Sequence, residues 1–230
     1  MRAALRTRTE SRGGTVDNNG RPPDATVYRL SLYHCYLADA QRRGDTSTYL
    51  TSRALAEELD LSEETVRRDL TYIDSKGRPG TGYVCSDLFA ALEEFLGLRE
   101  EYPIVRVGTA QTLATLQALF PEDYYGITQA AYFSELEEEA GASVGDVEVR
   151  HVSEIPDLDP ALEVNVALVA CSQPWIEPVL EMLNDAGVSG VLLLTPKLKL
   201  ERPPGMNVRH IRMPCDIKSL ACGCRFPTDR

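Results

Sequence analysis

The feature that most restricts the fold is the string LAEELDLSEETVRRDL, which occupies residues 55–70. Apolar residues at helical spacing on both sides of Leu61 and Ser62 predict two short helices joined by a tight turn. Ser62 is a suitable N-cap for the second helix, and the two glutamates that follow suit the positive end of its dipole. A bracing helix, a tight turn and a second helix are the parts of a helix-turn-helix.

A glycine-rich segment follows this string. The second helix should run from about Glu63 to about Asp74, because Val66, Leu70 and Ile73 form an apolar stripe along it. Residues 77–84, GRPGTGYV, then predict a β-hairpin. A hairpin placed directly after a helix-turn-helix is typical of a winged helix, and we call residues 77–84 the wing.

The same periodicity places the neighbouring elements. We expect a helix from Val27 to Gln41, a polar loop from Arg42 to Tyr49, and a second helix of the domain beginning at Thr51 or Ser52. A connecting helix should run from Ser86 to Leu96. Residues 1–25 show no apolar periodicity, so this tail is predicted to be disordered.

The charge of the chain, −11 overall, argues against DNA binding, because phosphates are neutralised by Lys and Arg. Only three basic residues lie between Cys85 and Glu163, however, so the acidity belongs mainly to the middle of the chain. An arginine pair on a purely structural helix is the alternative interpretation. The whole pattern of helix-turn-helix and wing favours DNA binding. We expect the contacts to phosphates and base edges to come from Arg53, Ser62, Thr65, Arg67, Arg68, Tyr72, Lys76 and Arg78.

Beyond Tyr102 the pattern changes to apolar strands that alternate with helices. This alternation predicts a Rossmann-like, doubly wound and mostly parallel sheet, so the fold class is α/β behind an N-terminal winged helix-turn-helix. The predicted strands are Ile104–Val107, Ile127–Phe133, Val147–His151, Val164–Cys171, Val191–Leu194 and Val208–Met213, and the helices are Thr112–Phe120 and Trp175–Ala186.

Composition places the chain in the cytoplasm. No apolar run reaches the roughly 18 residues of a membrane span, and the Arg-rich N-terminus lacks the apolar region of a secretory signal. Six scattered cysteines then indicate thiols rather than a disulfide framework, and no metal site is expected. The spacing of Cys222 and Cys224 is shorter than in most zinc sites.

Matches in order along both halves resemble the Rex-type redox-sensing transcriptional repressors. The segments that carry the resemblance are residues 30–37, 65–73, 80–83, 147–149, 164–170, 186–191, 194–196 and 207–211. The resemblance implies a homodimer that binds a palindromic operator, senses the ratio of NADH to NAD, and leaves DNA when NADH binds. It also implies a C-terminal helix exchanged between subunits, here about Asp216 to Ala221 and shorter than usual.

The predicted organisation follows from these patterns and from the resemblance. A disordered tail covers residues 1–25, a winged-helix DNA-binding domain 26–84 and a connecting helix 85–101. The Rossmann-like effector domain, of the NAD(P) or CoA type, covers residues 102–214. A C-terminal dimerisation helix and tail cover residues 215–230.

The dinucleotide fingerprint is degraded. Small residues let a diphosphate approach the backbone at a helix N-terminus, yet only one glycine remains in the matching turn. The candidate cofactor-binding residues are Val107, Gly108, Thr109, Ala110, Gln111 and Thr112. Phe133 stands where an acid would hold the ribose, with Glu135 nearby, and Arg212 lies near the position of the family's last aspartate.

Two interpretations of the pocket therefore stay open. Either NAD(H) binds weakly through Gly108, Thr109, Ala110 and the amides of the helix, or the pocket has lost the dinucleotide and takes another ligand or none. A thiol switch at Cys215, Cys222 and Cys224 is a minority hypothesis for a chain that has lost NADH sensing.

An enzyme is the alternative of another class. A nucleotide- or CoA-binding enzyme subunit would need a catalytic histidine or nucleophile in the pocket, and neither His34, His151 nor His210 has a suitable partner by spacing. Trp175 starts a helix and is more typical of a core than of cofactor stacking. We therefore expect no enzymatic activity.

Overall fold

The structure is a computed structural model that describes residues 22–45, 47–98, 102–119, 126–195 and 199–225, with side chains to residue 222. The chain divides into two compact units, the first ending at Arg99 and the second beginning at Glu100. Most of the tail predicted to be disordered, residues 1–21, lies outside the described residues.

The described residues of the first unit form four α-helices. They are α1 (Asp24–Arg42), α2 (Ser52–Glu58), α3 (Glu63–Asp69) and α4 (Cys85–Leu96). The first helix begins three residues earlier than predicted, directly after Pro23, so the last two residues of the predicted tail are helical. The connecting helix exists, but it packs against α1 as part of this unit's core.

The core of the first unit joins all four helices. Leu30 and Leu37 of α1 and Leu55 of α2 are buried together with Val66 of α3 and Leu88 of α4. Val66 belongs to the apolar stripe that helical periodicity predicted for α3. The burial of Val66 fixes which side of α3 faces inward, and therefore which residues of that helix face solvent.

The third helix is shorter than predicted. It ends at Asp69 and continues as a 3₁₀ turn over Leu70–Tyr72, after which Ile73 is extended, with φ −109° and ψ 152°. Ile73 is nevertheless buried, as the apolar stripe required. The periodicity therefore identified the buried positions correctly but overestimated the length of the helix, because a tighter turn brings Ile73 into the same core.

The wing forms the predicted hairpin only at its tip, where Arg78 and Gly82 exchange two backbone hydrogen bonds. Its last residues form β2 (Tyr83–Val84), which pairs antiparallel with β1 (Tyr49–Leu50) from the segment predicted as a loop. Within the wing there is a single bridge, Arg78 with Gly82. Gly82 has φ +95°, and a Cβ there would lie 2.4 Å from the carbonyl oxygen of Leu50. This close approach requires glycine.

The second unit is an α/β unit, and the part of it that the structure describes contains seven strands. These are β3 (Tyr102–Val107), β4 (Ile127–Ser134), β5 (Ser143–Val144), β6 (Val147–His151), β7 (Val166–Val169), β8 (Gly190–Leu194) and β9 (Asn207–Ile211). Its helices are α5 (Ala110–Leu119), α6 (Ile176–Asp185) and α7 (Met213–Arg225). The six predicted strands and two predicted helices are present, with ends that differ by at most two residues, while β5 was not predicted.

The order of the strands identifies the topology. The sheet runs β5-β6-β4-β3-β7-β8-β9, and every pairing is parallel except that of β5 with β6. Counted along the chain, the six parallel strands take the order 3-2-1-4-5-6, which is that of the Rossmann fold. The order reverses between β3 and β7. We call the space above the carboxyl ends of these two strands the crevice, because ligands of such sheets bind there.

Helices cover both faces of the sheet, which makes the unit doubly wound as predicted. On one face α6 packs Ile176, Val179 and Leu180 against the strands. On the other face Leu113 of α5 packs against Tyr132. The last helix, α7, is longer than the segment predicted from Asp216 to Ala221, and it begins as soon as β9 ends.

Candidate DNA interface and ligand crevice

A buried ionic network anchors α3 to α1. Arg29 donates from Nε and Nη2 to the two carboxylate oxygens of Asp69, over 2.6 and 2.7 Å. The Tyr33 hydroxyl donates to Asp69 Oδ2 over 2.7 Å. Asp69 is 1% exposed and Tyr33 is fully buried. Bidentate pairing of this kind fixes direction as well as distance, so the network orients α3.

The protonation of this network is held in one state. Burial, followed by the hydrogen bond to Asp69, raises the pKa of Tyr33 well above its usual value. The hydrogen bond to Asp69 likewise raises the pKa of Arg29. The phenol therefore stays a donor and the guanidinium stays charged at any physiological pH. The sequence alone does not reveal these partners of Asp69, because Arg29 and Tyr33 lie 40 and 36 positions earlier in the chain.

Three of the four arginines predicted to bind DNA line one cleft. Arg53 of α2, Arg67 of α3 and Arg78 of the wing line a cleft of about 420 Å³, together with Glu63 and Tyr83. Arg67 is also tied to the start of α2, since its Nε lies 3.3 Å from Ser52 Oγ. The wing therefore lies beside α3 within the first unit, as the winged-helix prediction required.

Each of the helical arginines is paired with a glutamate one turn away. Arg67 contacts Glu63 at 2.5 Å, and Arg68 contacts Glu64 at 2.8 Å. The arginine side chains are 66% and 64% exposed. Exposed i, i+4 pairs contribute only about 0.3–0.5 kcal/mol, so a phosphate can replace the glutamate at little cost. Arg53 has the same kind of pair, with Glu57.

The remaining predicted DNA contacts have different surroundings. Ser62 caps α3, accepting from the backbone N–H of Thr65 at 3.1 Å, and the two hydroxyls are 2.7 Å apart. Both therefore stabilise the start of the helix while Ser62 remains exposed. Tyr72 packs partly against the core, and Lys76 is exposed. Arg68 projects into solvent and does not line the cleft.

In the second unit, the turn after β3 is tight around its one glycine. A Cβ on Gly108 would lie 3.3 Å from the carbonyl oxygen of Ala170 and 3.3 Å from Thr112 Cγ2. Thr109 and Thr112 cap the start of α5, with their hydroxyls 2.9 Å apart. Val107 is buried in the sheet core and Gln111 is exposed. Of the candidate cofactor residues, Gly108, Thr109 and Ala110 therefore border the crevice.

The first amide of α5 is already occupied by a carboxylate of the chain. The N–H of Ala110 donates to Glu139 Oε2 over 2.7 Å, and the Ser134 hydroxyl donates to the same oxygen over 2.6 Å. Glu139 lies on a 3₁₀ turn (Glu137–Glu139) that follows β4. A helix N-terminus after the first strand is where a Rossmann fold receives a diphosphate. The sequence alone does not reveal this contact, because Ala110 and Glu139 are 29 positions apart.

A second glutamate crosses the crevice itself. Glu135 follows β4, and its Oε1 accepts from the backbone N–H of Ser172, beyond β7, over 2.9 Å. The residue is 7% exposed, and Oε2 is buried without a hydrogen-bond partner among the described residues. Burial, followed by the charge of Glu135, raises the pKa of the neighbouring Cys171 thiol to about 12. In this conformation the crevice residues do not fit a dinucleotide, because the carboxylate of Glu139 occupies the first amide of α5, where a Rossmann fold receives a diphosphate.

The remaining candidates have structural surroundings. Phe133 is buried in the sheet core, with the guanidinium of Arg150 5.2 Å from its ring centre. His151 caps the 3₁₀ turn that follows it and meets the edge of Trp175. His34 stacks on Phe89 inside the first unit.

Two thiols of the last helix, Cys215 and Cys222, cannot form a disulfide with each other within it. Cys215 and Cys222 are exposed on α7 seven residues apart, hence about 10 Å along the axis, which is too far for a disulfide. The side chain of Cys224 lies outside the described residues. No group of three potential metal-binding side chains occurs in the described part of the chain. Within the same residues, no helix combines the length and apolarity needed to cross a bilayer.

The winged-helix unit and the Rossmann-type unit together define a class, that of DNA-binding regulators with a nucleotide-type effector domain. A family model described as a putative DNA-binding protein N-terminus matches residues 23–71. The redox-sensing transcriptional repressor Rex of Desulfitobacterium hafniense is 27% identical over 86% of this chain and 93% of its own length. Rex of Staphylococcus haemolyticus is 29% identical, over 88% and 94%.

Solved structures show the same fold. RSP, described as a Rex-family repressor, matches with a TM-score of 0.73 and 19% identity, covering 88% of this chain and 94% of that one. RSP in complex with β-NAD⁺ and operator DNA matches with a TM-score of 0.75 and 20% identity, covering 88% and 92%. Over most of its length the chain is therefore similar to the redox-sensing transcriptional repressors of the Rex type, and its first helices match a DNA-binding family model.

Proposed function

We propose that this chain is a DNA-binding transcriptional repressor of the redox-sensing Rex type, acting as a homodimer on a palindromic operator. The observation that carries the proposal is the cleft that brings Arg53, Arg67 and Arg78 together from α2, α3 and the wing. The Asp69 network holds α3 in this position. A fixed helix with exposed arginines beside a wing is the arrangement that reads a DNA groove.

A homodimer suits the last helix of the chain. Met213, Ile217 and Leu220 lie at helical spacing on α7 and are 57%, 65% and 72% exposed. Large apolar side chains in a row on one helix indicate an interaction surface rather than a solvated face. A two-fold dimer would present two copies of the winged helix to two half-sites, which is why the operator should be palindromic.

NAD(H) is the effector to test first, since the similar repressor RSP has been solved in complex with β-NAD⁺ and in complex with β-NADH. The crevice lies where such a ligand binds in this topology. A Rex-like regulator with another effector is the second candidate, and the carboxylate of Glu139 on the Ala110 amide favours it. A catalytic role has no support from the surroundings of His34, which stacks on Phe89, or of His151, which caps a 3₁₀ turn.

The DNA-binding proposal is tested with operators selected from a random duplex library by the purified full-length chain. Arg67→Ala and Arg68→Ala should each lower operator affinity at least about tenfold in fluorescence anisotropy, the loss typical of an arginine that contacts a base edge. Arg43→Ala removes the same charge from the exposed end of α1 and is the matched control. Retention of full affinity by both α3 variants would refute the assignment of this helix.

A further inference from the structure

The segment that follows β4 has its acidic side chains directed to two different places. Glu137 and Glu138 are exposed, whereas Glu135 is buried and Glu139 is half-buried. The two inward glutamates contact backbone amides at opposite sides of the crevice, Ala110 at the start of α5 and Ser172 after β7. Charge repulsion alone would push four clustered acids outward, so these two contacts are specific.

The contact of Glu139 is built into the local structure. Ser134, fully buried at the end of β4, donates to Glu139 Oε2 and accepts from the backbone N–H of Leu136 over 3.1 Å. The serine therefore fixes both the path of the segment and the position of the carboxylate. The oxygen of Glu139 receives an amide and a hydroxyl, the donors that a phosphate oxygen receives at a helix N-terminus.

Glu135 supplies an independent observation at the same crevice. One of its oxygens accepts from Ser172, and the other is buried with no hydrogen-bond partner among the described residues. No ion pair in that part of the chain joins Glu135 or Glu139 to a basic side chain. A buried carboxylate with an unsatisfied oxygen is unfavourable for a neighbouring anion, because both would lack a compensating charge.

From these contacts we infer that Glu139 is an internal competitor of the effector's diphosphate. Its carboxylate holds the Ala110 amide, and Glu135 closes the crevice from β4 to β7. A dinucleotide binds only after the segment of residues 135–139 has moved, so its affinity is lowered by the contacts of Glu139. This inference rests on the proposed effector domain, and it makes the acidic segment a device that sets how much NAD(H) is needed.

The test is titration of the full-length chain by isothermal calorimetry with NADH, ADP-ribose and adenosine. Glu139→Gln removes the negative charge, and Glu139→Ala also removes the acceptor. Both should raise the affinity for NADH and ADP-ribose at least about tenfold, which corresponds to the loss of one charge-assisted hydrogen bond. Adenosine, which has no diphosphate, should bind all variants equally.

The control is Glu138→Gln, which removes the same charge from the same 3₁₀ turn at an exposed position. It should change NADH affinity less than about threefold, because an exposed charge is screened by salt. A gain of equal size in Glu138→Gln would mean that net charge alone controls binding, and would overturn the inference. So would an unchanged affinity in both Glu139 variants, or equal gains for adenosine and ADP-ribose.

The outcome is separable from that of the proposed function. Operator affinity without nucleotide depends on α3 and the wing, so Glu139→Gln should bind the selected operator as well as the parent chain does. Loss of operator binding by the parent chain would refute the DNA-binding proposal whatever the titrations show. Failure of the Glu139 variants to gain NADH affinity, with operator binding intact, would refute the internal competitor alone.

Discussion

The buried network at Asp69 yields the sharpest quantitative prediction, through Tyr33→Phe. This substitution removes only the hydroxyl that donates to Asp69 Oδ2 over 2.7 Å and leaves the buried ring in place. The carboxylate keeps both contacts to Arg29. Because a hydrogen bond to a charged group contributes roughly 1.5–3 kcal/mol, the first unit should lose about 2 kcal/mol of stability.

The loss is measurable by hydrogen exchange of the full-length chain, read by mass spectrometry. A change of about 2 kcal/mol corresponds to an increase of about thirtyfold in the exchange rate of the most protected amides of α1 and α3. Peptides from the sheet of the second unit are the internal reference. Tyr28→Phe makes the same change at a 49% exposed position of α1 and should alter exchange by less than about threefold.

The reasoning fails if Tyr33→Phe exchanges at the rate of Tyr28→Phe. That result would mean that the hydrogen bond of the Tyr33 hydroxyl to Asp69 is no stronger than its hydrogen bonds to water in the unfolded chain. Arg29 alone would then hold Asp69 in place. A rate increase spread equally over both units would also refute it, because the network joins α1 to α3 and nothing in the second unit.

Two further substitutions test the wing and the last helix. Gly82→Ala should lower the thermal midpoint and weaken operator binding, because the added Cβ would clash with Leu50. In the control, Gly80→Ala, φ is also positive but no atom lies close to the new Cβ, so both effects should be much smaller. Equal effects of the two substitutions would contradict the close-approach argument. Ile217→Asp should convert the dimer to a monomer, as measured by light scattering. Ser219→Asp introduces the same charge on α7 without removing an apolar side chain, so it should leave the dimer intact. An unchanged mass for Ile217→Asp would exclude this face of α7 as the dimer interface.

Local periodicity was sufficient to predict most of the architecture. The apolar stripe of Val66, Leu70 and Ile73 identified the buried side of α3, and alternating strands and helices predicted the doubly wound sheet. These features follow from residues close together in the chain, because helix and strand periods are local properties. The ends of elements were less accurate, as at Asp69, where a 3₁₀ turn replaces the last part of the predicted helix.

The errors at the wing have a different origin. Residues 77–84 contain the glycines of a hairpin, but the partner strand of Tyr83–Val84 is Tyr49–Leu50, about thirty residues earlier. Two-residue strands carry no alternation that a sequence pattern could detect. The glycine-rich pattern after the helix-turn-helix predicted that a wing exists, and only the folded chain shows which strand the wing pairs with.

The candidate site divides in the same way. The arginines of α3 and the degraded glycine turn were visible in the sequence, because both are short motifs with a chemical meaning. Neither Glu139 on the Ala110 amide nor Glu135 on Ser172 could be found in that way, since they join residues 29 and 37 positions apart. A run of acids looks the same in the sequence whether its members face solvent or a helix N-terminus.

The helix-turn-helix, the parallel sheet and the loss of the glycine fingerprint could all be predicted from the sequence, because each depends on the order of neighbouring residues. Only the folded chain shows that Arg29 and Tyr33 contact Asp69, and that the carboxylate of Glu139 accepts from the first amide of α5. The contacts of the second kind depend on the short distance over which polar interactions act. Hydrogen bonds and charges act over a few ångströms in space, and only folding brings distant residues within that reach.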